Sequence, residues 1–289
     1  METTPVALPT LFVLDSYLKE WLREDIGRGD RTTESLILQF EYPGEAQWIA
    51  KADGLIAGLP LALRVFQLLD EKVNFNILVK EGEYCHSGQA IAQIEGSLNA
   101  LLTGERVALN LAMRLSGIAT LTQKYVEKIY DLPTLFVDTR KTTPGLRLLE
   151  KYATKVGGAT NHRMGLDDAV MIKDNHIVIA AGIGNAISQV RSQIPYPTTI
   201  EVETESLEQV REALAYEADI IMLDNMSVEM MREAVEIIRR QDNRVKIEAS
   251  GNINLDNIRV VAESGVDYIS SSAPVTQSKW LDLSMRMDR

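Results

Sequence analysis

The chain contains a single cysteine, Cys85, in 289 residues, so it cannot form an internal disulfide and does not read as a disulfide-stapled secreted domain. It has no apolar run approaching the roughly 20 residues that a membrane span needs. The opening residues Met1–Pro5 lack a basic region followed by an apolar one, so no secretory signal is expected. Positive charge is scarce overall: 30 Lys and Arg stand against 41 Asp and Glu, for a net charge of −11. That balance argues against nucleic acid as the main partner, because a phosphate backbone needs an extended basic surface. There is no HExxH, no paired CxxC, no P-loop and no GxGxxG, which leaves zinc, P-loop nucleotide and dinucleotide sites unsupported. These absences together fit a reducing cytoplasm. Cys85 lies in the turn-like segment Glu83–Gly88 with no activating cluster beside it, and reads as a small, semi-exposed residue.

The chain does have an ordinary globular composition, 45% hydrophobic and 25% charged, long enough for one large or two moderate domains. It also has one conspicuous cationic stretch. Between Thr139 and Lys173 lie Arg140, Lys141, Arg147, Lys151, Lys155, Arg163 and Lys173, against only Glu150, Asp167 and Asp168. Cations gathered against the sign of the whole protein point to a local anion site, since a cleft focuses the field of its own lining.

From Leu135 onward a short apolar, β-branched run repeatedly ends in a polar residue and is followed by an amphipathic stretch. The runs end at Asp138, Lys173, Glu203, Asp224, Glu248 and Ser270. Such runs read as buried parallel strands. The stretches between them have helical spacing, as at Leu207, Val210 and Leu214 behind a Ser206 N-cap, and again from Ile253 to Ala262. Six units are too few for an eight-fold barrel, so the expected fold class is α/β, an open (incomplete) α/β barrel. The first hundred residues differ. Glycine-punctuated alternation at 47–58 and 82–96 predicts short strands, with a helix over 59–69 and a long one over about 104–129. This reads as an N-terminal α/β sandwich domain at 1–115 on which 274–289 packs back, with the barrel at 116–273.

The chemical residues fall at the ends of the barrel strands, where such folds place their sites. Arg140 with Lys141, His162 with Arg163, and Lys173 are the basic candidates; an arginine fork pairs with a carboxylate or phosphate through two hydrogen bonds. Arg147, Lys151 and Lys155 lie at helical spacing and read as an exposed helix face. Glu203 and Asp224 end successive strands and could bind sugar hydroxyls, hold Mg²⁺ through water, or stabilise a cationic transition state; the alternative is an ion pair with Lys141 or Lys173. Glu201 is read as facing away from them, and is the weaker candidate. The small-residue segments Ser250-Gly251-Asn252 and Ser270-Ser271-Ser272 could offer backbone N–H groups to a phosphate, or be plain turns. His86 reads as a loop residue and His176 as a cap of the helix that follows it.

The chain resembles the quinolinate phosphoribosyltransferases over nearly its whole length. The resemblance is carried by Glu24–Thr33, Gly104–Asn110, Ser116–Thr120, Asp138–Lys141, His162–Leu166, Met171–His176, Leu223–Asn225 and Ala249–Gly251. It implies an N-terminal α/β sandwich and an open barrel, in a homodimer or an assembly of dimers with Arg106 reaching the neighbouring subunit's site. It implies conversion of quinolinate and phosphoribosyl pyrophosphate to nicotinate mononucleotide, pyrophosphate and CO₂ with Mg²⁺, on the route to NAD. By motif, Arg106, Thr139, Arg140, His162 and Arg163 would hold quinolinate. Lys141 and Lys173 would face phosphate, pyrophosphate or carboxylate oxygens. Glu203 and Asp224 would contact the ribose and its Mg²⁺, with Glu248 alongside, and Ser250, Gly251, Asn252 and Ser270 to Ser272 would hold the 5′-phosphate. Asn252 stands where a second glycine is common, Ser272 where glycine is also expected, and Gln277-Ser278 in place of a His-Ser pair. Competing readings are a relative acting on nicotinate or associated with molybdenum transport, a non-catalytic sensor of these metabolites, and a barrel lyase with Lys173 as a Schiff base.

Overall fold

The computed structural model describes residues 6–36 and 43–287. The expectation about a secretory signal rests on residues 1–5 and so lies outside them. Two compact units emerge: the chain up to Leu121 with Leu148–Gly157 and the stretch from Gln277, and a second unit of Thr122–Arg147 with Gly158–Thr276.

The first unit holds α1 (Leu11–Ile26), α2 (Arg31–Leu36), β1 (Pro43–Ala50), β2 (Gly54–Leu55), α3 (Leu59–Gln67), β3 (Asn74–Ile77), β4 (Tyr84–Cys85), β5 (Ala90–Ser97) and most of α4 (Leu98–Glu127). β1 buries alternate residues, Ala46, Trp48 and Ala50, as a one-sided sheet requires. Trp48 meets Phe66 and Phe75 edge-on, at centroid distances of 6.2 and 5.7 Å. α3 begins at Gly58, and the Glu81 carboxylate accepts the N–H groups of Gly58 and Leu59, supplying the cap that no side chain of the helix itself provides. Cys85 is fully buried, not semi-exposed: its side chain points inward from β4, and burial pushes the thiol pKa up, away from reactivity.

The second unit carries β6 (Leu135–Val137), α5 (Arg147–Val156, of which only Arg147 belongs here), β7 (Val170–Ile172), α6 (Asp174–Ala180), α7 (Ile183–Arg191), β8 (Ile200–Thr204), α8 (Leu207–Ala215), β9 (Ile220–Asp224), α9 (Val228–Gln241), β10 (Lys246–Ser250), α10 (Ile258–Ala262), β11 (Tyr268–Ser270) and α11 (Ala273–Thr276). Its six strands form one sheet in the order β6-β11-β10-β9-β8-β7, every pair parallel. The two outermost strands, β6 and β7, do not pair with each other, so the sheet stays open: this is the incomplete barrel. Ser206 caps α8 as expected, its hydroxyl accepting the N–H of Gln209, and Ser227 does the same for α9.

Two helical expectations change. The helix expected from Ile253 starts only at Ile258, because the Asn254 side chain accepts the N–H groups of Asp256 and Asn257 and holds a turn there. Arg147, Lys151 and Lys155 do not form an exposed face. Lys155 is exposed, but Lys151 is fully buried within a helix whose residues Leu149 to Thr154 are all inaccessible. The chain ends the description with β12 (Leu283–Met287), which pairs antiparallel with β1 in the first unit's sheet of order β12-β1-β5-β3.

Candidate active site

The parallel strands of the second unit set the candidate residues on one rim, each at or just past a strand's carboxyl end. Asp138 follows β6 and is buried. It accepts hydrogen bonds from Asn161 Nδ2 at 2.6 Å and from the His162 N–H at 2.9 Å, which tethers the loop carrying His162 and Arg163 to the end of β6. The sequence marks Asp138 only as a strand end; its role as anchor appears once that loop is placed.

His162 is wedged rather than free. Its Nδ1 accepts the N–H of Arg163 at 2.7 Å, which turns Nε2 away from that backbone. Nε2 faces Glu201 Oε2 at 3.1 Å and Glu248 Oε2 at 3.5 Å. In this arrangement Nε2 of His162 is turned toward the two buried carboxylates, and Arg163 carries the guanidinium of the His162–Arg163 pair. Glu201 and Glu248 are each 3% exposed, and Oε1 of each has no hydrogen-bond partner. Burial, together with the neighbouring Glu201 carboxylate, pushes Glu248 up to about 8 against the pull of His162, Ser270 and Lys173.

Glu201 is therefore part of the site and does not face away from it. A strand's period of two puts residues 201 and 203 on one face, and that period is the signal that was available in the sequence. An acidic side chain inside the apolar run Ile200–Val202 was a second signal, since burying a carboxylate without a purpose is costly.

Closer to solvent, Lys173 Nζ donates to Glu203 Oε2 at 2.7 Å, with the lysine side chain 42% and the glutamate 18% exposed. The ion pair weighed as the alternative for Glu203 is thus what forms. His176 caps α6, its Nδ1 accepting the Lys173 N–H at 3.0 Å, which aligns the backbone from which Lys173 projects. Arg163 donates from Nη1 to the Ala169 carbonyl at 2.7 Å. Burial lowers its pKa, and so does the nearby guanidinium of Arg140, while Glu201 and Asp168 oppose the shift. Arg163 thus shares its surroundings with a second guanidinium, an arrangement that an anion would stabilise.

The remaining candidates of the second unit spread along the same rim. Thr139 Oγ1 accepts the N–H of Lys141, whose side chain is exposed. Asp224 ends β9, and Ser250, Gly251 and Asn252 end β10 and the turn beyond it. Ser270 ends β11 and is buried; the Ser271 hydroxyl donates to the Ile253 carbonyl and accepts the Ala273 N–H, and Ser272 opens the four-residue α11. Arg106 lies on α4 of the first unit, exposed, with Glu105 at 3.9 Å. Oxygen donors at the ends of the adjacent strands β8 and β9, Glu203 and Asp224, suit a hard cation such as Mg²⁺ that keeps several waters.

The family model of the quinolinate phosphoribosyl transferase N-terminal domain matches residues 30–116, and that of the C-terminal domain matches residues 118–286. The chain belongs to the quinolinate phosphoribosyltransferase family. It is 56% identical over 282 residues to a probable nicotinate-nucleotide pyrophosphorylase (carboxylating) of Synechocystis sp., covering 98% of this chain and 95% of that protein. It is 44% identical to the corresponding protein of Bacillus subtilis, over 94% of this chain and 92% of that one. Among solved structures, NadC from Streptococcus pyogenes superposes with a TM-score of 0.91 at 43% identity, with 98% of each chain covered. In a phosphoribosyltransferase of this family, a rim crowded with fixed cations has a plain use. No helix among the described residues is long and apolar enough to cross a membrane.

Proposed function

We propose that this rim joins quinolinate to phosphoribosyl pyrophosphate, giving nicotinate mononucleotide, pyrophosphate and CO₂ in the biosynthesis of NAD. The observation that carries the assignment of roles is the pair Arg140 and Arg163 on the rim that also bears Lys173: the Arg140 guanidinium lowers the pKa of the half-buried Arg163, and a dianionic pyridine would offer carboxylates to both. Arg140 and Arg163, with Thr139 alongside, hold the two carboxylates, while His162 braces Arg163 through the backbone. Lys173 exchanges Glu203 for a substrate oxygen, and Lys141, exposed and mobile at its tip, reaches the pyrophosphate.

The pyridine nitrogen attacks C1 of the ribose, and the C1–oxygen bond breaks with its electron pair leaving on pyrophosphate. Positive charge builds on the sugar and negative charge on the leaving group, so Glu203 and Asp224 stabilise the first and Lys141 the second. Mg²⁺ carried on the pyrophosphate, near Glu203 and Asp224, supplies further neutralisation when bound. The ring nitrogen is cationic once bonded to ribose. The bond from C2 to its carboxylate then breaks, the electron pair stays at C2 beside the cationic nitrogen, CO₂ departs, and a proton takes its place. No covalent nucleophile is needed; Cys85 is buried away from any such role, and Lys173 is engaged in an ion pair with Glu203.

The working form is a homodimer, or an assembly of dimers, in the cytoplasm, with Arg106 of one subunit completing the other's quinolinate pocket. The decisive assay supplies purified protein with both substrates and Mg²⁺ and follows mononucleotide and CO₂ together. Mononucleotide without CO₂ would mean a non-carboxylated pyridine is the substrate. Arg106→Ala should raise KM for quinolinate by about 10-fold or more, and wild-type kinetics in that variant would end the shared-site reading.

A further inference from the structure

We propose that Asn252 is a positioning residue that, acting through Asn225, fixes the orientation of the Asp224 carboxylate. The inference rests on the reading of Asp224 as a ribose contact. Asn225 and Asn252 both take left-handed backbone, at φ of +52° and +53°, which asparagine tolerates better than other side chains. Between them, Gly251 has φ +95°, and a Cβ there would lie 2.2 Å from Asn225 Oδ1, so the Asn225 amide rests directly on its bare Cα. The Asn225 N–H donates to the Ser250 carbonyl at 2.9 Å, tying the turn after β9 to the end of β10.

Three unusual backbone positions thus hold two amides in a row. Asn252 Nδ2 donates to Asn225 Oδ1 at 3.1 Å, and Asn225 Nδ2 donates to Asp224 Oδ2 at 2.7 Å. The Asn252 carbonyl in turn accepts from Asn257 Nδ2 at 3.0 Å and Asn254 Nδ2 at 3.4 Å, so the turn that presents it is itself held. The direction of this relay is set by its charged end. A carboxylate accepts only, so Asn225 must turn its NH₂ toward Asp224 and its oxygen toward Asn252, which must therefore donate. One oxygen of Asp224 is occupied and aimed, and the other is left for substrate. Exposed groups in water need such a chain to keep one orientation, because a lone surface carboxylate rotates freely.

The polarity gives the test. Asn252→Gly and Asn252→Asp both accept left-handed backbone, but the first deletes the donor and the second replaces it with an acceptor. Phosphoribosyl pyrophosphate affinity is measured by calorimetry, and KM for each substrate by turnover. These are repeated in 0.5 M salt, where the effect of a merely added surface charge is screened, and again in an Asp224→Asn background. Asn252→Gly should weaken phosphoribosyl pyrophosphate binding about 2- to 10-fold. Asn252→Asp should weaken it several-fold more, at high salt too. KM for quinolinate should not move, and both penalties should vanish in the Asp224→Asn background, where the relay has no fixed direction. Equal effects of glycine and aspartate at high salt, or penalties undiminished by Asp224→Asn, would show that Asn252 merely fits its turn. If Asp224→Asn alone leaves phosphoribosyl pyrophosphate affinity intact, the assignment of Asp224 to the ribose falls, and the relay falls with it.

Discussion

Two sets of acidic side chains lie on the strands β8, β9 and β10, and they are built to opposite rules. The inner set, Glu201 and Glu248, is almost inaccessible, closes on His162 and leaves an oxygen on each glutamate without a partner. The outer set, Glu203 and Asp224, is half-buried, and its partners are the flexible Lys173 and an exposed amide. Rigid burial suits a group whose task is to hold a neighbour in place and whose charge is expensive; partial exposure suits groups that must trade a protein partner for a substrate. The difference teaches that nearness to the site does not make a carboxylate a ligand: accessibility and the mobility of its partner decide.

The largest effect that would sharpen this contrast lies on the outer set's side. Lys173→Ala or Arg140→Ala should lower kcat/KM by at least about 10- to 150-fold, the worth of a lost charged hydrogen bond, and by more if the contact strengthens in the transition state. Thermal stability should hardly change, since the Lys173–Glu203 pair is partly solvated. Near-native turnover in either variant would break the assignment. Asp138, the buried anchor of the loop that seats His162 against the inner set, should respond the other way. Asp138→Ala removes the acceptor for both Asn161 and His162 in a buried position and should cost about 2–4 kcal/mol of stability, read from denaturant unfolding. An Asp138→Ala protein as stable as its parent would mean that the inner scaffold does not hold the loop.

A third measurement isolates Glu248. Its pKa in the folded chain is raised to about 8 from an ordinary 4.5, so the folded state keeps a proton that the unfolded state has lost. The stability tied to that proton is fully present below about 4.5 and drains away as pH rises toward 8. Glu248→Gln keeps the neutral shape without the titration, so its melting temperature should decline less than the parent's between pH 5 and 8. Parallel curves would refute the burial argument. The smallest effect is a control from outside both sets: Ser206→Ala should lose about 1 kcal/mol through its helix cap and leave kinetics untouched.

Much of this was legible in the sequence. All six barrel strands announced themselves because parallel strands buried on both faces are largely apolar, and most residues breaking the runs stand at or just past the strand ends. Features that depend on residues distant in sequence were harder to read. Lys151 has helical spacing suited to a solvated face, yet the stretch Leu149–Thr154 around it is buried by elements that only the fold brings up. The Asn254 turn competed with a helix that hydrophobic spacing alone would have begun at Ile253. The seating of His162, with the Arg163 N–H on its Nδ1 and Glu201 and Glu248 at its Nε2, is a matter of ring orientation that no residue type encodes.

The pairing of β12 with β1 bears on how the polypeptide is made. Residues 46–50 wait for partners at 283–287, so one flank of that sheet stays bare while the ribosome translates everything between them. At ordinary elongation rates the wait is on the order of ten to fifty seconds. The barrel unit, almost contiguous along the chain, can mature during that interval, and the exposed flank of β1 is where a nascent chain of this protein would most need a chaperone.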